Sequence, residues 1–377
     1  MTLLSYQPFK ALYVLSALAF ELLRFPLWFF KYAFAFGRQH RFLSFRQALG
    51  LRILSSVVLH SAAVRVKAPL PLTPGKEKER FVVLNPAPQG KYKGPLESNP
   101  DVKPVAIGGT WYPAPLTAAS PKESVLVVLH IHGGAYVIGD GRTENSGYFA
   151  GKLLKKAGAT HVLMPQYRLS QLPASKTSNP FPAAIQDSLT GYLYLVNELH
   201  VPANQIVLSG DSAGANAAIS LLRYFEEYGK ELGIPKPLAA WLWSPWVEIQ
   251  NAVTDEFTRT NRNYGTDYLP FNFTYWGALA YAGLGGLKVL DQPYISSLKY
   301  PFKTEVPLWV TTGGREVLFF EDSDWAQAMR SVGNQVELDV EEHAPHDILL
   351  IGNVVGFDKE ANGCAERAGL WLKEVRK

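Results

Sequence analysis

Three observations predict an α/β chain: a mostly parallel sheet flanked by helices, with a helical cap drawn from the N-terminus and from an inserted segment. From residue 125 onward compact apolar runs alternate with helix-like segments, the rhythm of βα units covered on both faces. A Gly-Asp-Ser-Ala-Gly pentad falls at one of the strand-to-helix junctions. Residues 248–300 break the rhythm with Trp, Tyr, Asn and Gly, which reads as an insertion lying over the sheet. The length of 377 residues allows two domains or one large α/β domain with insertions. With 47% apolar and 19% charged residues, the chain is neither disordered nor a polytopic membrane protein.

Residues 11–36 are dominated by Leu, Phe, Tyr and Ala, yet Glu21, Arg24 and Lys31 interrupt them and Pro26 breaks any helix in the middle. No run of about 18 uncharged apolar residues exists. The apolar side chains contribute on the order of −4 to −8 kcal/mol to insertion, against roughly 8 to 10 kcal/mol for three central charges. A membrane-lying helical hairpin is the expectation, with a true span and a lid packed on the body as the alternatives. If the segment spans, Arg38, Arg41, Arg46 and Arg52 place the domain beyond it on the cytosolic side, which makes the protein intracellular and membrane-associated. Glu21 follows a ten-residue apolar run and no small-x-small site comes next, which argues against a cleaved leader.

The net charge of +4 is uneven: residues 1–80 carry 12 Lys and Arg against 3 Asp and Glu, and the rest carry 25 against 30. The basic residues flank an apolar segment and do not line a groove with aromatic platforms. An anionic membrane surface is therefore the expected partner, and nucleic acid is not. One cysteine, Cys364, leaves no disulfide framework and no CxxC pair for zinc. The division expected is 1–67 for the membrane-associated cap helices and 68–377 for a catalytic domain with its cap insertion at about 248–300.

After a basic helical stretch to Lys67, the segment from Pro69 to Pro121 is rich in Pro, Gly and Lys and reads as a linker with edge strands at 81–84 and 105–112. Strands follow at 125–130, 161–165, 205–209, 238–243, 308–312 and 335–340. Helices are expected at 146–156, 183–199, 213–228, 322–332 and 360–375.

The pentad at Gly210–Gly214 follows QIVLS and precedes a helix-like run beginning at Ala213. That context suits a nucleophile elbow, in which Ser212 sits on a sharp turn whose strain only small neighbours tolerate. The helix starting there aims its positive end at the site. The strand at 125–130 ends in His130-Ile-His-Gly-Gly-Ala-Tyr136, an HGGG-type loop. The amides of Gly133, Gly134 or Ala135, with that of Ala213, are the candidate oxyanion donors. The rival reading of His130 and His132 as a metal pair lacks a third ligand of suitable spacing, so neither metal nor cofactor is expected.

Taken in order, HGGAY at 132–136, YRL at 167–169, FPAAIQD at 181–187, GDSAG at 210–214 and SPW at 244–246 resemble the hormone-sensitive lipase family of α/β-hydrolases. The resemblance covers about two thirds of the chain and implies the α/β-hydrolase fold. The proline and acidic residue that normally follow YRL are replaced by Ser170-Gln171-Leu172-Pro173. The implied chain order is Ser, acid, His. The family's acid position falls on Glu316, with Asp322 and Asp324 as competitors read as an N-cap and a solvated helix face. The stretch EEHAPHD offers His343 and His346, and the family's spacing selects His346, leaving His343 as a loop residue. Tyr167, Arg168 and Asp187 are read as a buried supporting set, and Asp211 diverges from Ser212 on the turn, so it is not the acid.

The implied activity is a serine carboxylester hydrolase of esterase, deacetylase or lipase type, without cofactor. The aromatic residues Trp246, Tyr264, Tyr268, Phe271, Phe273, Tyr275 and Trp276 suggest an apolar pocket, or simply cap core, and favour hydrophobic small-molecule esters. Two alternatives stand beside this: the same triad used for acyl transfer, cyclisation or condensation in secondary metabolism, and a small-molecule receptor. Retention of both Ser212 and His346 argues against the receptor. Asn272-Phe-Thr274 is a lone glycosylation sequon.

Overall fold

The computed structural model describes residues 3–117, 120 and 125–377, so the end of the predicted linker at Pro121 lies outside the described residues. The strands are β1 Phe81–Leu84, β2 Ile107–Tyr112, β3 Val127–Ile131, β4 His161–Gln166, β5 Ile206–Asp211, β6 Ala239–Trp243, β7 Leu308–Gly313 and β8 Val336–Glu341. They form one eight-stranded sheet in the order β1-β2-β4-β3-β5-β6-β7-β8. β2 is antiparallel to both β1 and β4, while β4, β3, β5, β6, β7 and β8 run parallel. Every residue of β3, β5, β6 and β7 is buried, as continuous apolar runs in a parallel sheet require.

The helices are α1 Phe9–Ala33, α2 Phe45–Ala63, α3 Thr143–Lys155, α4 Ala183–Leu193, α5 Ala213–Leu232, α6 Asp255–Thr260, α7 Phe271–Ala282, α8 Phe319–Ser331, α9 Ile348–Val355 and α10 Asp358–Val375. The expected helix over 183–199 ends at Leu193 and continues as one wider turn, Tyr194–Glu198.

Pro26 does not break the N-terminal helix, contrary to expectation: α1 runs unbroken for 25 residues with Pro26 inside it. The proline forfeits one hydrogen bond on the exposed face, while Trp28 and Tyr32 beyond it are buried and Arg52 of α2 lies 4.4 Å over the Trp28 ring. By length and composition α1 is sufficient to cross a membrane, and only 6% of its most apolar window is buried. α2 begins in a capping box in which the Ser44 hydroxyl accepts from Gln47 N and the Gln47 carbonyl accepts from Ser44 N. Gln47 and Arg46 donate to the carbonyls of Gly356 and Asn353, fixing α2 on α9 and its following loop. α2 also packs on α7, so the N-terminal helices touch the 248–300 segment.

Candidate active site at the strand carboxyl ends

β5 ends at Asp211 and α5 starts at Ala213, leaving Ser212 alone between them at φ +52°, ψ −118°. A conformation this sparsely populated by L-residues costs on the order of 1–3 kcal/mol and survives only where the surroundings enforce it. Both glycines of the pentad are needed sterically: a Cβ on Gly210 would stand 2.3 Å from Gly214 O, and one on Gly214 would stand 1.9 Å from Ile131 O.

The loop after β3 lies against this turn, with a Cβ on Gly133 reaching 3.1 Å from Ser212 Cβ. Gly134, Ala135 and Tyr136 all have positive φ, at +103°, +51° and +63°. The Tyr136 hydroxyl donates to Asn216 Oδ1 at 2.8 Å, and Asn216 Nδ2 donates to Trp246 O and Ile295 O, so the loop is pinned to α5 and to the segment after β6. Gly133 leaves the expected donor set because its amide donates to Asp211 Oδ1 at 2.9 Å. The amides of Gly134, Ala135 and Ala213 donate to no acceptor among the described residues. They sit at a helix N-terminus and a positive-φ turn, where exposed amides attract negative charge.

His130 and His132 do not share a focus. His130 bridges Ser209 Oγ and Asp211 Oδ1, at 2.9 and 3.0 Å, while His132 bonds its neighbour Gly133 O and stacks on Tyr167 at 4.1 Å. Among the described residues no group of three His, Cys, Asp or Glu side chains is arranged to hold a metal. Arg168 holds Asp187 through Nε and Nη2 at 2.8 to 3.1 Å, and Tyr167 donates to His132 O at 2.9 Å, a supporting set beneath the loop.

On the far side, Glu316 follows β7 and is fully buried. Its carboxylate accepts from Ser244 Oγ at 2.6 Å, Thr312 Oγ1 at 3.0 Å and Gly313 N at 3.1 Å, with His346 Nδ1 at 3.7 Å. Burial alone would raise the Glu316 pKa, and the imidazole with the surrounding donors more than offsets it, so the group stays ionised. For His346 burial lowers the pKa and the Glu316 carboxylate outweighs it, so the net direction is up.

No hydrogen bond joins Ser212 to His346. Both are tied to the end of β6: Ser212 N donates to Trp243 O at 2.9 Å, and the Ser244 hydroxyl that donates to Glu316 also accepts from Asp347 N at 3.1 Å. Asp267, from the inserted segment, accepts from His346 N at 3.1 Å and Val317 N at 2.8 Å, joining the imidazole loop to the carboxylate loop. Its burial pushes its pKa up to about 6.

Asp322 is not the N-cap of α8, which is Leu318. It is fully buried in the first turn of α8, and Thr312 Oγ1 lies 2.8 Å from it and 3.0 Å from Glu316. Burial followed by the Glu316 charge raises the Asp322 pKa well above its usual range. Thr312 Oγ1 donates toward both carboxyls, and the opposed pKa directions favour a neutral Asp322 beside an ionised Glu316. Asp324 is exposed, as expected of a helix face. His343 stacks on Phe42 at 4.2 Å.

Sequence reasoning missed Ser244, Thr312, Asp322 and Asp267 as parts of this site. Ser244 lies in the SPW motif, which marked the position but not its bond. Asp267 sits in the insertion, where no local pattern distinguishes it. The aromatic residues divide: Trp246, Tyr268, Phe273 and Trp276 are buried as cap core, whereas Tyr264 and Phe271 line a surface cleft of about 530 Å³ with Leu59 and Asn272.

The profile of the family described as alpha/beta hydrolase fold matches residues 128–350. An acetyl-hydrolase of Streptomyces hygroscopicus is 33% identical over 135 residues, 36% of this chain and 40% of that protein. An AB hydrolase superfamily protein of Schizosaccharomyces pombe is 28% identical over 247 residues, 64% of this chain and 68% of that one. In structure, an esterase from the bacterial hormone-sensitive lipase family superposes with a TM-score of 0.61 at 21% identity, covering 87% of this chain and 98% of its own. The Pyrobaculum calidifontis esterase gives 0.61 at 17%, covering 88% and 92%.

Proposed function

Because the chain belongs to the α/β-hydrolase-fold family, we propose that it is a serine carboxylester hydrolase with Ser212 as nucleophile, His346 as general base and Glu316 as the orienting acid. The observation that carries the reading is the setting of Ser212: a strained strand-to-helix turn, beside three amides with no acceptor among the described residues and tied through the end of β6 to a buried carboxylate–imidazole pair.

In this mechanism His346 takes the Ser212 hydroxyl proton as Ser212 Oγ attacks the ester carbonyl. The amides of Gly134, Ala135 and Ala213 receive the oxyanion. Glu316 stabilises the imidazolium, which returns its proton to the departing alkoxide. Water, deprotonated by His346, then releases the acid and restores Ser212. Ala135 stands where the family motif has glycine, and its backbone at φ +51° still leaves the amide free.

Relatives called acetyl-hydrolase and ethyl acetate hydrolase support a short acyl group. The nearly unburied apolar α1 supports a hydrophobic alcohol part and membrane association, with the body on the side that carries Arg38, Arg41, Arg46 and Arg52. A fluorophosphonate should label the protein at Ser212, and p-nitrophenyl acetate should be hydrolysed. Labelling that persists in Ser212→Ala, or turnover lost in His343→Ala and kept in His346→Ala, would overturn the assignment.

A further inference from the structure

The segment between α6 and α7 is bound to the carboxylate and imidazole loops by side chains that reach main-chain groups. Asn261 Nδ2 donates to Val317 O at 2.7 Å, Asn263 Nδ2 to Gly314 O at 3.2 Å and Glu316 O at 2.9 Å, and Thr266 Oγ1 to Arg315 O at 2.8 Å. The segment is itself a closed turn, in which Asn263 O accepts from Thr266 N at 3.0 Å and from Asp267 N at 3.1 Å. Those three side chains hold the carboxylate loop alone. Asp267 holds both loops: Oδ2 accepts from Val317 N at 2.8 Å, and Oδ1 accepts from His346 N at 3.1 Å as well as from Tyr268 N at 2.7 Å.

This double contact calls for a carboxylate. Both oxygens face main-chain N–H donors, whereas an amide side chain offers one acceptor oxygen and would turn its own N–H groups toward the other donor. The contact also falls where small displacements matter. His346 Nδ1 stands 3.7 Å from Glu316 Oε2, beyond the roughly 2.7–3.2 Å of an N–H···O bond, so less than an ångström in the backbone at 346 decides whether imidazole and carboxylate close into one. Arg315 N also links the loops by donating to Ala344 O at 3.0 Å, but it acts two residues before the imidazole.

We propose that Asp267 is a positioning residue for the reaction: by fixing the main chain at His346 and at Val317, next to Glu316, it sets the distance between imidazole and carboxylate and makes the triad depend on the inserted segment. The inference rests on the hydrolase reading of Ser212, His346 and Glu316. Misplacing a catalytic group by about 1 Å costs about 10²-fold in rate. The protein contacts of Asp267 are to main-chain amides, so its loss acts on turnover and leaves substrate binding in place.

The test uses the full chain and the variants Asp267→Ala and Asp267→Asn. Fluorophosphonate titration to completion counts reactive Ser212 sites, and p-nitrophenyl acetate kinetics give KM and kcat per titrated site. In Asp267→Ala, kcat per site should fall by about 30- to 100-fold with KM within about threefold of the parent. Asp267→Asn keeps one acceptor oxygen and should fall between the two. Fewer titrated sites with kcat per site unchanged would mean that Asp267 supports the fold alone, and a loss carried by KM would place it at the substrate. Either result would overturn the proposal. If Asp267→Ala does not fold, Asp267→Asn decides, and a parent-level kcat per site in that variant overturns the positioning role. A parent chain that the fluorophosphonate leaves unlabelled would instead overturn the hydrolase reading, and the positioning role with it.

Discussion

The buried pair formed by Glu316 and Asp322 leads to a stability prediction whose sign is fixed. Thr312 Oγ1 faces both carboxyls at 3.0 and 2.8 Å, and burial with the Glu316 charge raises the Asp322 pKa well above its usual range, which favours a proton on Asp322. The charged neighbours of Asp322 are Glu316 and Glu321, both of which oppose its ionisation, as does its burial. In the unfolded chain Asp322 ionises above its ordinary value of 3.8. The folded state then binds one more proton than the unfolded state. Stability must fall as pH rises above that value, by about 1.4 kcal/mol per pH unit for as long as the pair keeps its proton. Asp322→Asn is neutral at every pH and can donate to Thr312 through its amide, so it removes this slope without removing the bond. Over the pH range in which folded Asp322 keeps its proton, the variant should gain stability relative to the parent as pH rises. Urea unfolding of both proteins at each pH reads the difference, and p-nitrophenyl acetate turnover should stay within about threefold because Glu316 keeps its other donors. Curves whose separation is constant across the range, or which favours the parent as pH rises, would refute the neutral assignment of Asp322 and with it the proton count of the site.

Three further outcomes are expected. Glu316→Gln removes the charge that holds the His346 pKa up against burial. The rising limb of kcat/KM against pH should move to lower pH, and the rate should drop by about 10²- to 10⁴-fold. Gly214→Ala places a methyl 1.9 Å from Ile131 O and 2.5 Å from His132 O, both main-chain atoms. It should lower stability by at least about 2 kcal/mol by urea unfolding, and no rotamer change can relieve it. Arg168→Ala strands the fully buried Asp187 without its guanidinium partner. A loss of about 3–5 kcal/mol is expected by the same measurement.

The parts of this molecule that could be read from sequence are those whose physics is local. A parallel strand buried on both faces must be an apolar run, so β3 to β7 stand out within one or two residues of where they fold. Ser212 was legible because its strained turn demands glycines at 210 and 214, and those contacts lie within the pentad or one strand away. Asp322 was misread because its environment is made by residues distant in sequence or on another element. As an acidic residue near a helix start it resembles a cap, and only the fold puts Thr312 and Glu316 against it. Asp267 carries the same lesson further, since its two acceptor bonds span to 317 and 346 and no neighbouring residue records either. Pro26 shows the opposite error, a local rule applied too strongly. Its missing donor faces outward, and Trp28 and Tyr32, held by α2, continue the helix that the proline alone would end. Local rules thus place the proposed nucleophile, whereas the carboxyl network around His346 is a product of tertiary packing.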